Sequence, residues 1–514
     1  MTAELTSGIA SAAGELVTSL MLRPWGQVSP SIYETGRLVS LAPWLTGHEG
    51  RIAYLTATQR EDGAWGAPDG YGLVPTLSAT EGLLAALSRA DPGADRERLA
   101  HTAERGVRVL ATWLRRKLTL PDMPAIEHIV PSLVTLINRH LTGRPPLPFP
   151  QGMSEDRLRL VRSWIRSGTE IPEKLLHSLE IAGEDASGAP GIRPNPIGTI
   201  GASPAATAAW LSERSDGDAS DAARGHLEAV IRLHGGPVPV GLPITVFERG
   251  WVLSWLGRAG VPVDVPPEMV ADLRAAIGPL GTPAGPGLPA DADTTAVALF
   301  ALTLLGVPCE PDSLWHFRSG VHFSTWPGEQ GVSVSVNAHV LDAFGEYVAR
   351  KPAAAPRYRE AIRHLAAWIR DRQRPDGSWT DRWHASPYYA TVSCALGLDA
   401  FGGEPSAASV RAAVEWVLDT QRPDGSWGRW EGTAEETAYA MQTLLMTRSR
   451  WEPRCVEAAA RGQAYLWRSA GKEHPPLWHD KDLYTPLAVT RAAVIAAQHL
   501  AERACRPSPD GVSP

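Results

Sequence analysis

The chain has 514 residues, too many for one ordinary domain, and its 44% hydrophobic and 20% charged residues are a globular mix that excludes disorder. Lys and Arg number 49 against 56 Asp and Glu, a net charge of −7, whereas a nucleic-acid partner needs a basic field, so none is expected. The four cysteines, Cys309, Cys394, Cys455 and Cys505, are widely spaced without a CxxC pair, so a cytoplasmic protein without a zinc or disulfide framework is expected. No apolar run reaches the roughly 18 residues that a transmembrane helix needs. Tryptophan is in excess, 19 against 7 Phe and 10 Tyr. Core packing accounts for most indoles, but their number leaves room for another use.

Taken in chain order, the first stretch, MTAELTSGIASAAGELVTSL, reads as a helix without the basic region of a secretion signal. AYLTATQ then runs into QREDGAW at Gln59, followed by the amphipathic LSATEGLLAALSRA. SERSDGDASDAARG, from Ser212 to Gly225, reads as an exposed loop and helix start. A Gly/Pro-rich stretch from Gly278 to Ala290 marks a domain boundary. Beyond it TAVALFALTLLG, NAHVLDAFGEYVAR, YREAIRHLAAWIRDRQ, AASVRAAVEWVLDTQ and AEETAYAMQTLLMTR carry apolar residues at helical spacing. VHFSTWPG and GVSVSVN are the short alternating exceptions.

QRPDGSW occurs at Gln373 and again at Gln421, each time after an amphipathic helix, and QREDGAW is a third copy. The unit is helix, tight turn, helix. Such units bury their apolar faces by stacking, so the fold class is all-α, a double ring of helices. In the turn Pro375 presets φ, Asp376 and Gly377 make the bend, and Gln373 is placed to bond neighbouring helix ends. Trp65, Trp379 and Trp427 follow these turns and are assigned to structure.

The Gly/Pro-rich stretch leads through Pro289-Ala290-Asp291-Ala292-Asp293-Thr294-Thr295 into an apolar helix. One reading is a helix cap, since Asp and Thr satisfy free backbone N–H groups. The other is a carboxylic acid at the rim of an apolar cavity. QxxDGxW repeats together with Asp-x-Asp-Thr-Thr resemble the class II terpene cyclases, the bacterial labdane-, halimane- and drimane-forming enzymes, more distantly related to squalene-hopene cyclase. SPSIYETGRLV from Ser29, SVNAHVLDA from Ser335, WTDRWHASPYYAT from Trp379, GTAEETAYA from Gly432 and PPLWHDKDLYTP from Pro475 extend the resemblance over most of the chain.

The resemblance implies two α-barrel domains, residues 21–277 and 278–514, the second carrying the acid motif, with residues 1–20 packing on that second domain. It implies that Asp293 protonates the terminal alkene of a linear prenyl diphosphate, tuned by Asp291 and the helix N-terminus. Thr294 stands where the family commonly has Asp, and its hydroxyl can bond Asp293. Asn337 is implied as the residue orienting Asp293, with helix capping as its alternative; His339, two residues on, should then point away. Trp326, Trp383, Tyr388 and Tyr389 are candidates for facing carbocations, or for plain packing. Arg382 and Lys481 are candidate diphosphate anchors, or surface charges, with Mg²⁺ bridging phosphate oxygens; Glu127 and Glu248 are weak candidates for its ligands. No Asp-Asp pair occurs, so the diphosphate should survive into the product. The Thr-Thr form is similar to drimane- and some halimane-forming cyclases. That points to farnesyl diphosphate giving drimenyl diphosphate, with geranylgeranyl diphosphate giving a labdane- or halimane-type product beside it. An (α/α)-barrel glycosidase, which needs a second carboxylate across the cleft, and a non-catalytic helical scaffold are the competing readings.

Overall fold

A computed structural model describes residues 2–89, 95–213 and 216–504; Arg214 and Ser215 of the polar patch and Cys505 lie outside the described residues. The chain is all-α, built as two helical barrels, with three two-stranded ribbons between helices. GVSVSVN is not a strand: Ser333 caps the helix Val334–Arg350 by accepting the Val336 N–H at 3.1 Å, so the alternation ends in a helix start.

The three repeat turns are built alike. Gln59, Gln373 and Gln421 each donate from one amide nitrogen to two carbonyls, that of the turn glycine and one on a following helix. Trp65, Trp379 and Trp427 are wholly buried and donate their indole N–H to Leu55, Ile369 and Val417 on the preceding helix. Gly377 sits at φ +94°, where a Cβ would meet the Ala412 carbonyl at 2.3 Å, so the turn admits glycine alone. Each turn therefore locks two helices at a fixed spacing.

One core gathers residues between 28 and 244 together with Ala385, Leu477 and Leu483, with a satellite around Trp65. A second core gathers Ile9 to Leu20 of the helix Thr2–Leu22, Trp251 to Leu273 and residues of later helices such as Tyr389, Tyr439 and Val489, and a third lies around Leu299, Phe344, Tyr358 and Trp379. Helices Thr245–Ala259 and Pro267–Ala275, which precede the Gly278 boundary read from composition, pack in the second core. Asp122 and Asp69 of the first barrel pair with Arg382 and Arg429 of the second. No helix among the described residues is long and apolar enough to cross a membrane.

Candidate active site

The acid motif is held at a strand-to-helix junction. Thr282–Pro283 pairs antiparallel with Ala290–Asp291, and the helix Ala292–Leu304 starts at once. Asp291 Oδ1 accepts the Thr294 N–H at 2.6 Å, so Asp291 is the cap. Thr295 Oγ1 donates to the Asp291 carbonyl and accepts from Thr282 N at 2.9 Å, and Ala292 N donates to Thr325 O at 3.0 Å. The motif's two carboxylates are placed differently: Asp291 closes the helix end, and Asp293, in its first turn, takes no part in the cap. Burial raises the Asp291 carboxyl to about 7 against the Thr294 bonds that lower it, and the neighbouring Asp293 raises it further. The Thr294 hydroxyl acts on Asp291, not on Asp293 as expected.

Asp293 meets a histidine. His339 Nδ1 lies 2.6 Å from Asp293 Oδ1. Asn337 does not reach the acid: its Oδ1 accepts the Phe323 N–H at 2.8 Å, and its Nδ2 donates to Phe323 O at 2.9 Å and Ser333 O at 2.8 Å. The expected roles are exchanged for a geometric reason. Side chains two apart on a helix diverge by about 200°, so if Asn337 faces the Phe323 strand, His339 faces Asp293.

Aromatic rings continue from this pair. Trp251 lies edge-on to His339 with centroids 5.6 Å apart, and its indole N–H donates to Tyr389 OH at 3.0 Å. Trp251, Phe247, Tyr389 and His384 all contact Trp478 at centroid distances of 4.8–6.2 Å. His384 has a fixed tautomer: the Ser386 N–H donates to Nδ1 at 3.0 Å, so the ring proton sits on Nε2, aimed at Glu435 at 3.2 Å. Trp326 and Trp383 are half-buried and edge-to-face at 5.4 Å, and Trp383 donates to Thr325, which is itself bonded to the acid helix. Tyr388 is a correction: it packs on Trp416 at 4.6 Å and faces the helix Ala407–Asp419, away from Asp293. Sequence reasoning missed His339, Trp251, Phe247, Trp478, His384 and Glu435.

The two expected anchors are already engaged. Arg382 pairs with Glu329 and Asp122, its side chain 15% exposed. Lys481 is completely buried, bonded to Glu34, to Glu180 at 3.0 Å, to Ser203 Oγ at 2.8 Å and to the His177 carbonyl at 2.8 Å. Burial alone would discharge the ammonium, but Glu180, Glu34 and Asp480 outweigh it and raise its pKa. Neither is a free cation. Glu127 pairs loosely with Arg157 and His128 on an exposed helix start, and Glu248 is buried, accepting the Gln27 N–H at 2.8 Å and pushed up by burial to about 7. No group of three His, Cys, Asp or Glu among the described residues is placed to hold a metal ion, and Glu127 and Glu248 have no part in one.

Residues 330–486 match the family model of the squalene-hopene cyclase C-terminal domain. Over 511 residues the chain is 43% identical to the ent-copalyl diphosphate synthase of Streptomyces sp. (strain KO-3988), covering 96% of this chain and 98% of that one. It is 39% identical over 528 residues to the labda-7,13-dienyl diphosphate synthase of Streptomyces clavuligerus, covering 98% of this chain and 95% of the relative. The structure of ent-copalyl diphosphate synthase from Streptomyces platensis, 44% identical, matches with a TM-score of 0.92 over 96% of this chain and 99% of that one. The chain belongs to the bacterial class II terpene cyclases, enzymes that start cyclisation by protonation. Membership sets aside the glycosidase and scaffold readings. These relatives are named for copalyl and labdadienyl diphosphates, so the lean toward a drimane product gains no support: a Thr at one motif position does not measure the length of a cavity.

Proposed function

We propose that the protein cyclises geranylgeranyl diphosphate to a bicyclic labdane-type diphosphate of the copalyl kind, with Asp293 as the acid. The contact between Asp293 and His339 beside a wall of aromatic rings carries this reading. A trisubstituted alkene is a very weak base, so its donor must be a neutral carboxylic acid aimed from an apolar site, and its conjugate base must be stabilised at once. Asp293 gives its proton to the distal alkene carbon. The resulting tertiary cation is captured by the next two alkenes in turn, forming two C–C bonds. Loss of a proton from the bicyclic cation restores neutrality, so the product is an isomer of the substrate with its diphosphate intact. The carboxylate left on Asp293 is held by the His339 ring. Trp251, Tyr389 and Trp478 present π faces and exclude water that would quench the cation. A narrow cavity behind His339, lined by Ser254, Arg258 and Asp342, offers the returning proton a route to the acid.

Incubation of the purified protein with geranylgeranyl and, separately, farnesyl diphosphate as magnesium salts, then phosphatase and gas chromatography–mass spectrometry, tests the reading. A bicyclic C20 alcohol from the wild type, absent with Asp293→Asn, is the expected result. A bicyclic C15 alcohol instead would overturn the substrate, and full turnover by Asp293→Asn would overturn the acid.

A further inference from the structure

Helix ends at one face leave three leucines in solvent. Leu22 closes the helix Thr2–Leu22 and is 76% exposed, Leu233 lies in the last turn of Asp218–His234 at 62%, and Leu487 opens Leu487–Ala504 at 48%. They surround one groove of about 660 Å³, walled also by Pro24 and the half-buried Trp25. Backbone hydrogen bonds fix this platform: Ile244 N donates to Trp25 O and Leu487 N to Gln27 O, both at 2.8 Å. The leucines are therefore held out by rigid elements and not by a wandering loop. Monomers rarely expose several large aliphatic side chains in one patch without a use for them.

The charge around the groove identifies the occupant. Arg23, Arg232 and His234 line it and no carboxylate does, in a chain whose net charge is −7. Burial lowers the His234 pKa and keeps that ring neutral, so the two guanidinium groups set the local sign. Arg23 bonds Gln27 at 3.3 Å, and neither arginine forms an ion pair among the described residues. A two-fold contact between copies of this chain would bring these arginines toward each other across an apolar patch, which costs free energy. An anionic surface with an apolar layer beneath it fits both features.

We propose that this face docks on an anionic phospholipid surface. Leu22, Leu233, Leu487 and Trp25 enter the headgroup–acyl boundary, and Arg23 and Arg232 meet the lipid phosphates. Docking there would set the cyclase beside the phase into which long prenyl chains and their products partition. The proposal does not rest on the identity of the substrate, because binding is read without turnover.

Co-sedimentation of the full chain with phosphatidylcholine vesicles, with and without phosphatidylglycerol, tests it. The wild type should pellet with the anionic vesicles and be released by high salt. Leu22→Glu/Leu233→Glu should bind them roughly tenfold more weakly or worse, with an unchanged far-UV spectrum and unchanged turnover of detergent-dispersed substrate. Failure of the wild type to bind, or equal binding by the double variant, overturns the proposal. So does wild-type dimerisation in light scattering that the same substitutions abolish, since that assigns the groove to a second copy.

Discussion

A carboxylic acid protonates an alkene only if its conjugate base is met as the proton leaves, and in the proposed reaction the group that would meet Asp293 is His339, 2.6 Å away. His339→Ala removes that partner and leaves the Trp251, Tyr389 and Trp478 rings in place, losing only its edge contacts with Trp251 and Tyr389. It should lower kcat by ~100-fold or more and leave KM near the wild-type value, read by steady-state product formation. Equal kcat in the variant would contradict the pairing. Asn337→Ala should behave differently, because Asn337 bonds Phe323 and Ser333 in a fully buried site. Its loss should lower Tm and the yield of folded protein while the folded fraction keeps its kcat. The motif's placement is legible, because Asp-x-Asp-Thr-Thr before an apolar helix places one carboxylate at the cap and the next in the first turn. The histidine was not. Its helical phase was set by assigning Asn337 to the acid, and nothing in the sequence shows that Phe323 waits on that face.

The repeat turns are the most legible elements, since each writes its hydrogen bonds into one short motif. Gln373 reaches both the Gly377 and Ser409 carbonyls, so one side chain ties a turn to the helix Ala407–Asp419. Gln373→Ala should cost roughly 2 kcal/mol in urea unfolding, two hydrogen bonds' worth, with kcat unchanged at saturating substrate. No loss of stability would show that the glutamine is dispensable to the stack. The helix Thr245–Ala259 was harder to place, because the Gly/Pro-rich stretch after it looks like a domain boundary, yet its Trp251 and Trp255 are buried in the second core. Composition marks where the chain bends, not which core a helix joins.

Lys481 binds groups that lie far away in the chain, Glu34, Glu180 and Ser203, so a sequence that shows only a lysine in a family-like motif does not reveal that the charge is already paired. Tyr33 and His177 extend the network, donating to Glu180 at 2.6 Å and lying 2.9 Å from Asp480. The cluster thereby fastens the second barrel's ribbon Trp478–His479 and Leu483–Tyr484 to helices of the first. Lys481→Met strands buried carboxylates and should destabilise the fold by on the order of 3–5 kcal/mol in denaturant unfolding. A near-neutral effect would show that the network contributes little. The pH dependence of stability follows from the same burial. Asp291, Glu248 and Glu436 are raised to about 7 and Asp482 to about 6, all chiefly by burial, so their contribution is complete below the ordinary carboxylate range and is lost as pH rises through 7. His226 and His479 are pushed down by burial, to about 4 and about 3, and lose theirs as pH falls below about 6.5. The four carboxyls outnumber the two histidines, so Tm should fall from about pH 5 to about pH 7 in scanning calorimetry and level off above it; a Tm that rises from about 5 to about 7 would refute this balance.

Turnover in D₂O measures directly whether a proton from Asp293 enters the carbon skeleton. After equilibration of the enzyme in D₂O, the dephosphorylated product should carry one non-exchangeable deuterium per molecule by mass spectrometry, located on the first-formed ring. A bicyclic product with no deuterium would mean that the reaction does not begin with protonation, and the role assigned to Asp293 would be wrong.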